Sequence, residues 1–359
     1  MTVNLAPDAD SSALGQTGWA FARFGEPDQV LERVAGLAPA PGPGQVRLRM
    51  LAAPVHASDL HVLRGRYGRL PALPASPGLE GVGVVDATGQ GANDALIGQR
   101  VVPLLEPWGA WRGLLLVDAD RVVPVPADMT DSTAAQLVVN PLSALVMLTR
   151  ELHPEPGQWL LQTAADGTVG RLVQQLAAHL SIRTINVVRR PEQAERLRAT
   201  VDPDQAAVVC TATDDLPARV RELTDAAGAP YALDCVAGEL GAQVARCLAP
   251  GGTQLIYGAL STHRQTGPAA LTTPLFTPGL IYRAVTVRGW WLYQWLEATP
   301  LPEVRQALVD VAEHVQAGRL TIAPGQAYDA TQAGAVAAAC AAAEHPGREG
   351  KPLLTWPAS

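Results

Sequence analysis

Residues 160–173, Leu-Leu-Gln-Thr-Ala-Ala-Asp-Gly-Thr-Val-Gly-Arg-Leu-Val, pass from an apolar run through small residues into a second apolar run. The centre has the spacing Ala165-x-Gly167-x-x-Gly170, with Thr168 and Val169 between the glycines. Small residues there let backbone N–H groups approach a pyrophosphate and let the following helix pack closely on the strand. The stretch therefore predicts a strand, a dinucleotide-binding turn and a helix, although an ordinary strand-to-helix turn remains the alternative.

Apolar runs and helical segments alternate along the chain around this turn. The candidate strands cover residues 159–162, 184–188, 207–210, 231–236 and 253–257. Strands alternating with helices are typical of a parallel sheet covered by helices on its faces. This part of the chain is therefore expected to be an α/β domain.

The flanking regions have a different pattern. Residues 19–139 contain short β-prone runs interrupted by Pro and Gly, such as 45–51, 81–85 and 99–104, which predicts a mostly β domain. Near the other end, apolar residues at helical spacing predict a helix over 302–317. A second helix over 331–344 and a strand over 352–355 complete the prediction.

Composition excludes several classes of function. A chain of 359 residues, 48% hydrophobic and 17% charged, is folded and large enough for two domains. The formal net charge is −7 and no basic run is longer than a pair, so nucleic acid is not an expected partner. The longest uncharged apolar run, 333–343, is too short for a bilayer span, so no membrane association is expected. Residues 1–18 match no signal or transit peptide, so we expect a loose arm.

Cysteine and lysine usage narrows the chemistry further. The cysteines Cys210, Cys235, Cys247 and Cys340 are widely separated, which argues against disulfides and thiolate zinc sites and fits a reducing cytoplasm. The only lysine, Lys351, lies in the last nine residues, so lysine catalysis is not expected. Phosphate recognition must then fall to arginine.

Two arginines stand where a nucleotide's ribose would be recognised. Arg189 and Arg190 follow the strand predicted over 184–188, about 20 residues after Gly170, where NAD-preferring proteins place an acidic residue. Guanidinium groups bind phosphate oxygens in forked geometry, so the pair suits a 2′-phosphate. It predicts NADPH as the cofactor; a solvated surface pair is the alternative.

Several further segments resemble the medium-chain dehydrogenase/reductase superfamily over nearly the whole chain. They are residues 25–31, 39–49 and 98–103 and the glycine turn, in that order. More narrowly, residues 58–68 (SDLHVLRGRYG), 109–112 (GAWR), 139–144 (VNPLSA), 186–190 (NVVRR) and 291–295 (WLYQW) resemble the trans-2-enoyl-thioester reductases of mitochondrial type.

The resemblance implies a fold and an assembly. The fold is α/β, with a catalytic domain derived from a GroES-like β-barrel and an inserted Rossmann domain with a doubly wound parallel sheet. The corresponding boundaries are an arm over 1–18, a catalytic domain over 19–140 and 296–359, and a cofactor domain over 141–295. A homodimer joined through edge strands is implied too, with 285–291 as the candidate edge.

The resemblance also bears on zinc. Zinc-dependent relatives place a Cys near His56 and a His at the position of Leu79, and leucine cannot ligate a metal. We therefore expect no metal. Without one, the simplest reaction is reduction of an activated alkene: hydride moves from nicotinamide C4 to the β-carbon, and charge develops on the thioester or ketone oxygen.

Tyr67 is the predicted proton donor to the α-carbon. The tyrosine at this motif position has that role in the resembling family, and a phenol with a pKa of about 10 is protonated at neutral pH. A packing tyrosine is the alternative. His56 is expected either to donate a proton or bind substrate, or to be a hydrogen-bonded histidine beside a turn capped by Asp59. Trp291 and Trp295 are expected to wall an acyl pocket, with core or dimer packing as the alternative.

The remaining cofactor candidates flank the glycine turn in sequence. Asn140 and Ser143 are expected to contact nicotinamide or ribose, although Asn140 before Pro141 also suits a helix cap. Tyr257, at the end of the strand predicted over 253–257, is assigned to the cofactor site with them.

The predicted function is NADPH-dependent reduction of 2-enoyl thioesters carried by CoA or acyl-carrier protein. A zinc-free quinone or enone oxidoreductase is the first alternative. A regulatory protein that binds NADPH without turnover is the second.

Overall fold

The computed structural model describes residues 17–35, 40–105, 108–261, 267, 271–345 and 350–357. They form two compact units. The first unit contains the chain up to Val139, Leu301–Gln316 and the segment from Ile322 onward, and the second contains Asn140–Pro300 and Ala317–Thr321. No helix within the described ranges is long and apolar enough to span a membrane.

The strands are β1 (Thr17–Ala20), β2 (Glu32–Ala35), β3 (Gln45–Pro54), β4 (Val82–Thr88), β5 (Arg100–Pro103), β6 (Leu114–Asp118), β7 (Val122–Pro124), β8 (Trp159–Thr163), β9 (Arg183–Val188), β10 (Ala206–Cys210), β11 (Ala229–Asp234), β12 (Leu248–Ile256), β13 (Thr286–Gly289), β14 (Ala327–Asp329) and β15 (Leu353–Thr355). The α-helices are α1 (Pro27–Val30), α2 (Ala57–Leu63), α3 (Asp131–Ala134), α4 (Ser143–Val146), α5 (Thr168–His179), α6 (Pro191–Arg198), α7 (Leu216–Leu223), α8 (Gly238–Cys247), α9 (Thr277–Tyr282), α10 (Leu292–Ala298), α11 (Leu301–Gln316) and α12 (Ala333–Glu344). Short 3₁₀ turns cover Asp94–Leu96 and Ala119–Arg121, and π-helical turns cover Val138–Leu142 and Met147–Leu152.

The first unit is built on a sheet of strand order β14-β15-β3-β4-β5-β7, with β6 also paired to β3. Strand β3 is its centre, antiparallel to β4, β6 and β15. Val46, Leu48 and Met50 alternate along β3 and are completely buried, because successive side chains of a strand point to opposite faces. The alternation seen in the sequence therefore marks the core face of this sheet.

The predicted N-terminal arm extends two residues too far. Residues 1–16 lie outside the described residues, but Thr17 and Gly18 pair with Ala35 and Val34 as part of the β1–β2 ribbon. Gly113 also donates its N–H to the Thr17 carbonyl, at 2.9 Å. These backbone hydrogen bonds make the first described residues part of the fold.

The second unit is a six-stranded sheet of order β10-β9-β8-β11-β12-β13, in which every pairing is parallel. The order reverses between β8 and β11, as in doubly wound nucleotide-binding sheets, whose ligands bind outside the carboxyl ends of the strands at this point. The α/β fold with a doubly wound parallel sheet is confirmed. The glycine turn follows β8 and so lies at the switch point.

The two units divide at Val139/Asn140 and again at Pro300/Leu301, whereas the boundaries expected from the sequence are 140/141 and 295/296. Helix α10 stays with the second unit, where the Arg150 guanidinium carbon lies 5.7 Å from the centre of the Trp295 ring. Ala317–Thr321 also belongs to the second unit, since the Thr321 N–H donates to Gln175 Oε1 at 2.6 Å.

Candidate functional site

The turn between β8 and α5 has the close packing that its glycines predict. A Cβ added to Gly170 would lie 2.6 Å from the Ala165 carbonyl oxygen, so no other residue fits without moving backbone. Ala165 is fully buried and donates its N–H to Val187 of β9 at 3.1 Å. Gly167 precedes the helix in an extended conformation, with φ −79°. The turn is therefore held tightly against the sheet.

The first amides of α5 are available to a ligand. Within the described ranges, Thr168, Val169 and Gly170 donate no backbone N–H to a protein acceptor. The first N–H groups of a helix lack intrahelical partners, and together with the helix dipole they attract an anion. The residues present thus fit a pyrophosphate, and the structure brings all five predicted residues of the turn together. Their contact with a nucleotide stays a prediction.

Two glutamines, which the sequence analysis missed, fix the carbonyl groups of this turn. Gln174 Nε2 donates to the carbonyls of Ala165 at 2.7 Å and Gly170 at 3.1 Å. Gln162 Nε2 donates to Gly170 O at 3.1 Å and to Asn186 Oδ1 at 2.7 Å. A buried polar side chain in an apolar strand needs partners, so Gln162 within β8 was a visible signal.

Arg189 and Arg190 directly follow β9, which pairs in parallel with β8. Arg189 is exposed, and the Arg190 N–H donates to Gln193 Oε1 at 3.2 Å at the start of α6. Because β8 and β9 are parallel neighbours, their carboxyl ends share one edge of the sheet. The arginine pair and the glycine turn therefore lie at the same edge, the arrangement expected of a nucleotide site.

Tyr257 follows β12 in the second unit and lies near the Cys235 thiol. Its backbone N–H donates to the Asp234 carbonyl at 2.9 Å. Burial raises the pKa of the Tyr257 phenol well above its usual value of 10 and raises the pKa of the Cys235 thiol to about 11. Both groups are therefore neutral at physiological pH. The cofactor role of Tyr257 stays a prediction.

Asn140 and Ser143 are both buried, at the beginning of the second unit. Asn140 lies inside the π-helical turn that contains Pro141, and Ser143 begins α4. Helix α4 has Leu142 as its N-cap, so Asn140 does not cap it. The capping alternative is wrong, while contact of Asn140 and Ser143 with a cofactor stays a prediction.

In the first unit, His56 belongs to a buried network that the sequence showed only in part. Its ring Nε2 lies 2.6 Å from Glu80 Oε1, and its backbone N–H donates to Asp59 Oδ2 at 2.7 Å. Asp59 Oδ1 accepts the Leu79 N–H at 3.1 Å. The alternative of a hydrogen-bonded histidine beside a capping Asp59 describes this geometry, and substrate contact by His56 stays a prediction.

Glu80 connects this network to Val138 and Val139, the last two residues of the first stretch of chain in this unit. Its Oε2 accepts the N–H groups of Val138 at 2.7 Å and Val139 at 2.8 Å. Burial raises the pKa of Glu80 from 4.5 to about 8, while these hydrogen bonds and the charge of Lys351 oppose the rise. Burial also raises the pKa of Asp59 from 3.8 to about 7, and the Glu80 charge adds to that rise. Lys351, for which the sequence predicted no catalytic role, is thus a buried countercharge.

Tyr67 lies beyond the end of α2 and packs, partly buried, against the core of the first unit. The chain turns between the two at Gly65, whose φ is +66° and where a Cβ would lie 3.0 Å from the Phe24 side chain. Part of the Tyr67 ring therefore packs as the alternative describes. Because the side chain is not fully buried, proton donation by Tyr67 stays open as a prediction.

Trp291 directly precedes α10 in the second unit and Trp295 lies within that helix, and both are partly buried. The Trp291 ring meets the Tyr293 ring edge to face at 5.7 Å, and Trp295 meets the Arg150 guanidinium. These contacts occupy part of each indole. Their role as walls of an acyl pocket stays a prediction.

No group of three or more His, Cys, Asp or Glu residues able to hold a metal ion occurs among the residues that the structure describes. At the position where the resemblance would place a histidine ligand, Leu79 is buried in the core and its backbone N–H donates to Asp59.

Comparison with known proteins assigns both units. Residues 42–127 match the family described as alcohol dehydrogenase GroES-like domain, and residues 168–311 match the family described as zinc-binding dehydrogenase. The mitochondrial enoyl-[acyl-carrier-protein] reductase of Mus musculus is 34% identical over 277 residues, covering 77% of this chain and 72% of that protein.

Solved structures agree with this assignment. A Bacillus thuringiensis protein described as an NADPH:quinone reductase is 30% identical with a TM-score of 0.85, covering 94% of this chain and 98% of that one. A mycobacterial protein solved in complex with NADPH is 26% identical with a TM-score of 0.78, covering 94% and 99%. The chain belongs to the medium-chain dehydrogenase/reductase superfamily. The predicted GroES-like domain and the oxidoreductase class are confirmed.

Proposed function

We propose that this chain is an NADPH-dependent reductase of 2-enoyl thioesters. One observation carries the proposal: a glycine turn with free helix amides is joined in one chain to segment 58–68, which has Tyr67 at the donor position of enoyl-thioester reductases. The similarity to a mitochondrial enoyl-[acyl-carrier-protein] reductase supports it.

The cofactor is NADPH, which supplies a hydride from nicotinamide C4 when bound. The amides of Thr168, Val169 and Gly170 would hold its pyrophosphate. Arg189 and Arg190 would hold its 2′-phosphate, because guanidinium groups form charge-assisted bonds with phosphate oxygens. The partly buried Tyr257 and the buried Asn140 and Ser143 are assigned to its ribose and nicotinamide ends.

Tyr67 completes the reduction on the substrate. Hydride delivery to the β-carbon leaves negative charge shared between the α-carbon and the thioester oxygen, and the α-carbon then needs a proton. A phenol that is neutral at physiological pH can donate that proton and recover its own from solvent. We assign His56 to the substrate pocket and not to proton donation, because its Nε2 is engaged with Glu80.

A quinone or enone oxidoreductase is the second candidate. It is favoured by the Bacillus thuringiensis structure, which covers 94% of this chain. When a quinone is reduced to a hydroquinone, the protons go to oxygen and none need reach a carbon, so Tyr67 would be dispensable for a quinone substrate.

Substrate turnover tests the proposal. NADPH oxidation is followed with crotonyl-CoA, a longer 2-enoyl-CoA and a quinone, and the crotonyl-CoA reaction is repeated with NADH. The proposal expects both thioesters to be reduced and NADPH to be preferred. Turnover of the quinone alone would replace it with the second candidate, and tight NADPH binding without any turnover would indicate a regulatory protein.

We also propose a homodimer formed through the exposed edge of the second unit. Among the residues that the structure describes, β13 is the last strand of its sheet, and such an edge offers unpaired backbone groups to another copy. Ile281 and Tyr282 of α9, four to five residues before β13, are 64% and 82% exposed. Large apolar side chains beside an open strand favour an interface.

A cytoplasmic location stays a prediction.

A further inference from the structure

The glycine turn contains an acidic residue, Asp166, whose place calls for an explanation. Its side chain is 5% exposed, between Ala165 and Gly167. A buried carboxylate is costly unless it is paired, and a negative charge in a turn that receives phosphates repels them. The charge of Asp166 must therefore be compensated locally.

Two arginines compensate it, one at each carboxylate oxygen. Arg171 Nη2 lies 2.8 Å from Oδ1, and Arg171 Nε also donates to the Asp166 carbonyl at 3.1 Å. Arg196 Nη2 lies 2.5 Å from Oδ2. The cluster of Asp166, Arg171 and Arg196 thus carries a net positive charge, and it attracts an anion although its centre is acidic.

Arg196 reaches this cluster from another element. It lies on α6, which starts immediately after Arg190, whereas Asp166 lies in the turn after β8. The ion pair therefore holds a guanidinium of α6 at the sheet edge where Arg189 and Arg190 also lie. In doubly wound sheets the ribose is recognised just after the second strand, which is β9 here.

Most N–H donors of the Arg196 guanidinium are not engaged by a described residue. Its side chain is 50% exposed, and only Nη2 donates to a described residue. A guanidinium has five N–H donors, so the rest of the fork remains for a ligand. Arg171, at 43% exposure, uses two groups on residue 166 and mainly balances its charge.

We propose that Asp166 and Arg196 determine the specificity for the 2′-phosphate. Arg196 is a third arginine for this phosphate beside Arg189 and Arg190, and Asp166 is the positioning residue that holds it there. The inference rests on the proposed NADPH site. It explains why an acidic residue is accommodated in a phosphate-binding turn.

Calorimetric titration of the full chain with NADPH and with NADH tests the inference. Arg196→Gln should weaken NADPH binding about tenfold or more, the usual effect of losing a charge-assisted hydrogen bond, and leave NADH binding within about twofold. Asp166→Asn should also lower the preference for NADPH, without weakening NADH binding, because it releases Arg196 and removes a negative charge. Arg198→Gln, on the same helix and exposed, is the matched control and should change neither.

Equal weakening of both nucleotides by Arg196→Gln would overturn the inference, because the arginine would then serve the shared pyrophosphate or the fold. Unchanged NADPH binding in that variant would overturn it as well. Circular dichroism shows whether Asp166→Asn is folded, and the surface variant Arg196→Gln carries the test if it is not. Enoyl turnover does not enter these titrations, so failure of the proposed reaction is seen separately.

Discussion

Glu80 uses both of its carboxylate oxygens within the first unit and has no exposed surface. One oxygen meets His56 and the other accepts two backbone N–H groups. Lys351, near the other end of the chain, supplies a compensating charge. A single buried carboxylate thus joins the residue that caps α2 to the backbone at Val138 and Val139, with Lys351 as a countercharge.

The raised pKa of Glu80 predicts a specific pH dependence of stability. In the folded chain Glu80 holds its proton up to a pH of about 8, whereas the unfolded carboxyl has the ordinary value of 4.5. The folded state therefore binds more protons between these values, and the free energy of unfolding should fall as pH rises through this window. Urea unfolding at several pH values should show a shallower fall for Glu80→Gln than for the wild type.

Glu80→Ala is the contrasting variant. It leaves the N–H groups of Val138 and Val139 without their acceptor, which should cost about 3 kcal/mol or more in unfolding free energy. Glu80→Gln keeps an acceptor there and should cost less. Identical pH profiles for wild type and Glu80→Gln would contradict the raised pKa.

At the scale of elements, local patterns predicted most of the fold. The strand, turn and helix from β8 through α5 were visible because three small residues and two apolar runs decide them locally. The strand predicted over 231–236 is observed as β11, which begins and ends two residues earlier. It ends at Asp234 because the Asp234 carboxylate accepts the N–H groups of Val236 and Ala237. The π-helical turns on either side of α4 have no local signature.

The close approach of α5 to its turn gives a test at this scale. Gly170→Ala forces a Cβ to within 2.6 Å of backbone, so it should destabilise the chain by about 1–3 kcal/mol and abolish NADPH binding. Gly334→Ala is the matched control, since no atom lies within 4 Å of its added Cβ and alanine favours a helix. Thermal unfolding and nucleotide titration measure both variants; normal binding by Gly170→Ala would contradict the assignment of the turn.

At the scale of the whole molecule, the alternation of strand and helix patterns in the sequence predicted the class of fold. It did not predict the buried charge network. His56, Asp59 and Lys351 come together through tertiary folding of segments far apart in the chain. No local pattern shows that the only lysine is buried, and its terminal position argued the opposite. For the same reason Asp166 gave no sequence signal, because its partner Arg196 lies on a separate helix.

The proposed dimer is tested by its exposed apolar edge. The double variant Ile281→Ser, Tyr282→Ser removes apolar surface beside β13 and should shift the chain from dimer to monomer. Ile97→Ser, which changes an exposed apolar residue of the first unit, is the control and should not. Light scattering after size-exclusion chromatography measures the mass; a wild-type monomer would refute the dimer.

The most direct test of the central claim is the turnover number of Tyr67→Phe with NADPH and crotonyl-CoA. Loss of a general acid typically slows a reaction by about 100-fold or more, so kcat should fall by at least that factor while NADPH affinity stays unchanged. Reduction of crotonyl-CoA by Tyr67→Phe at the wild-type rate would contradict the account.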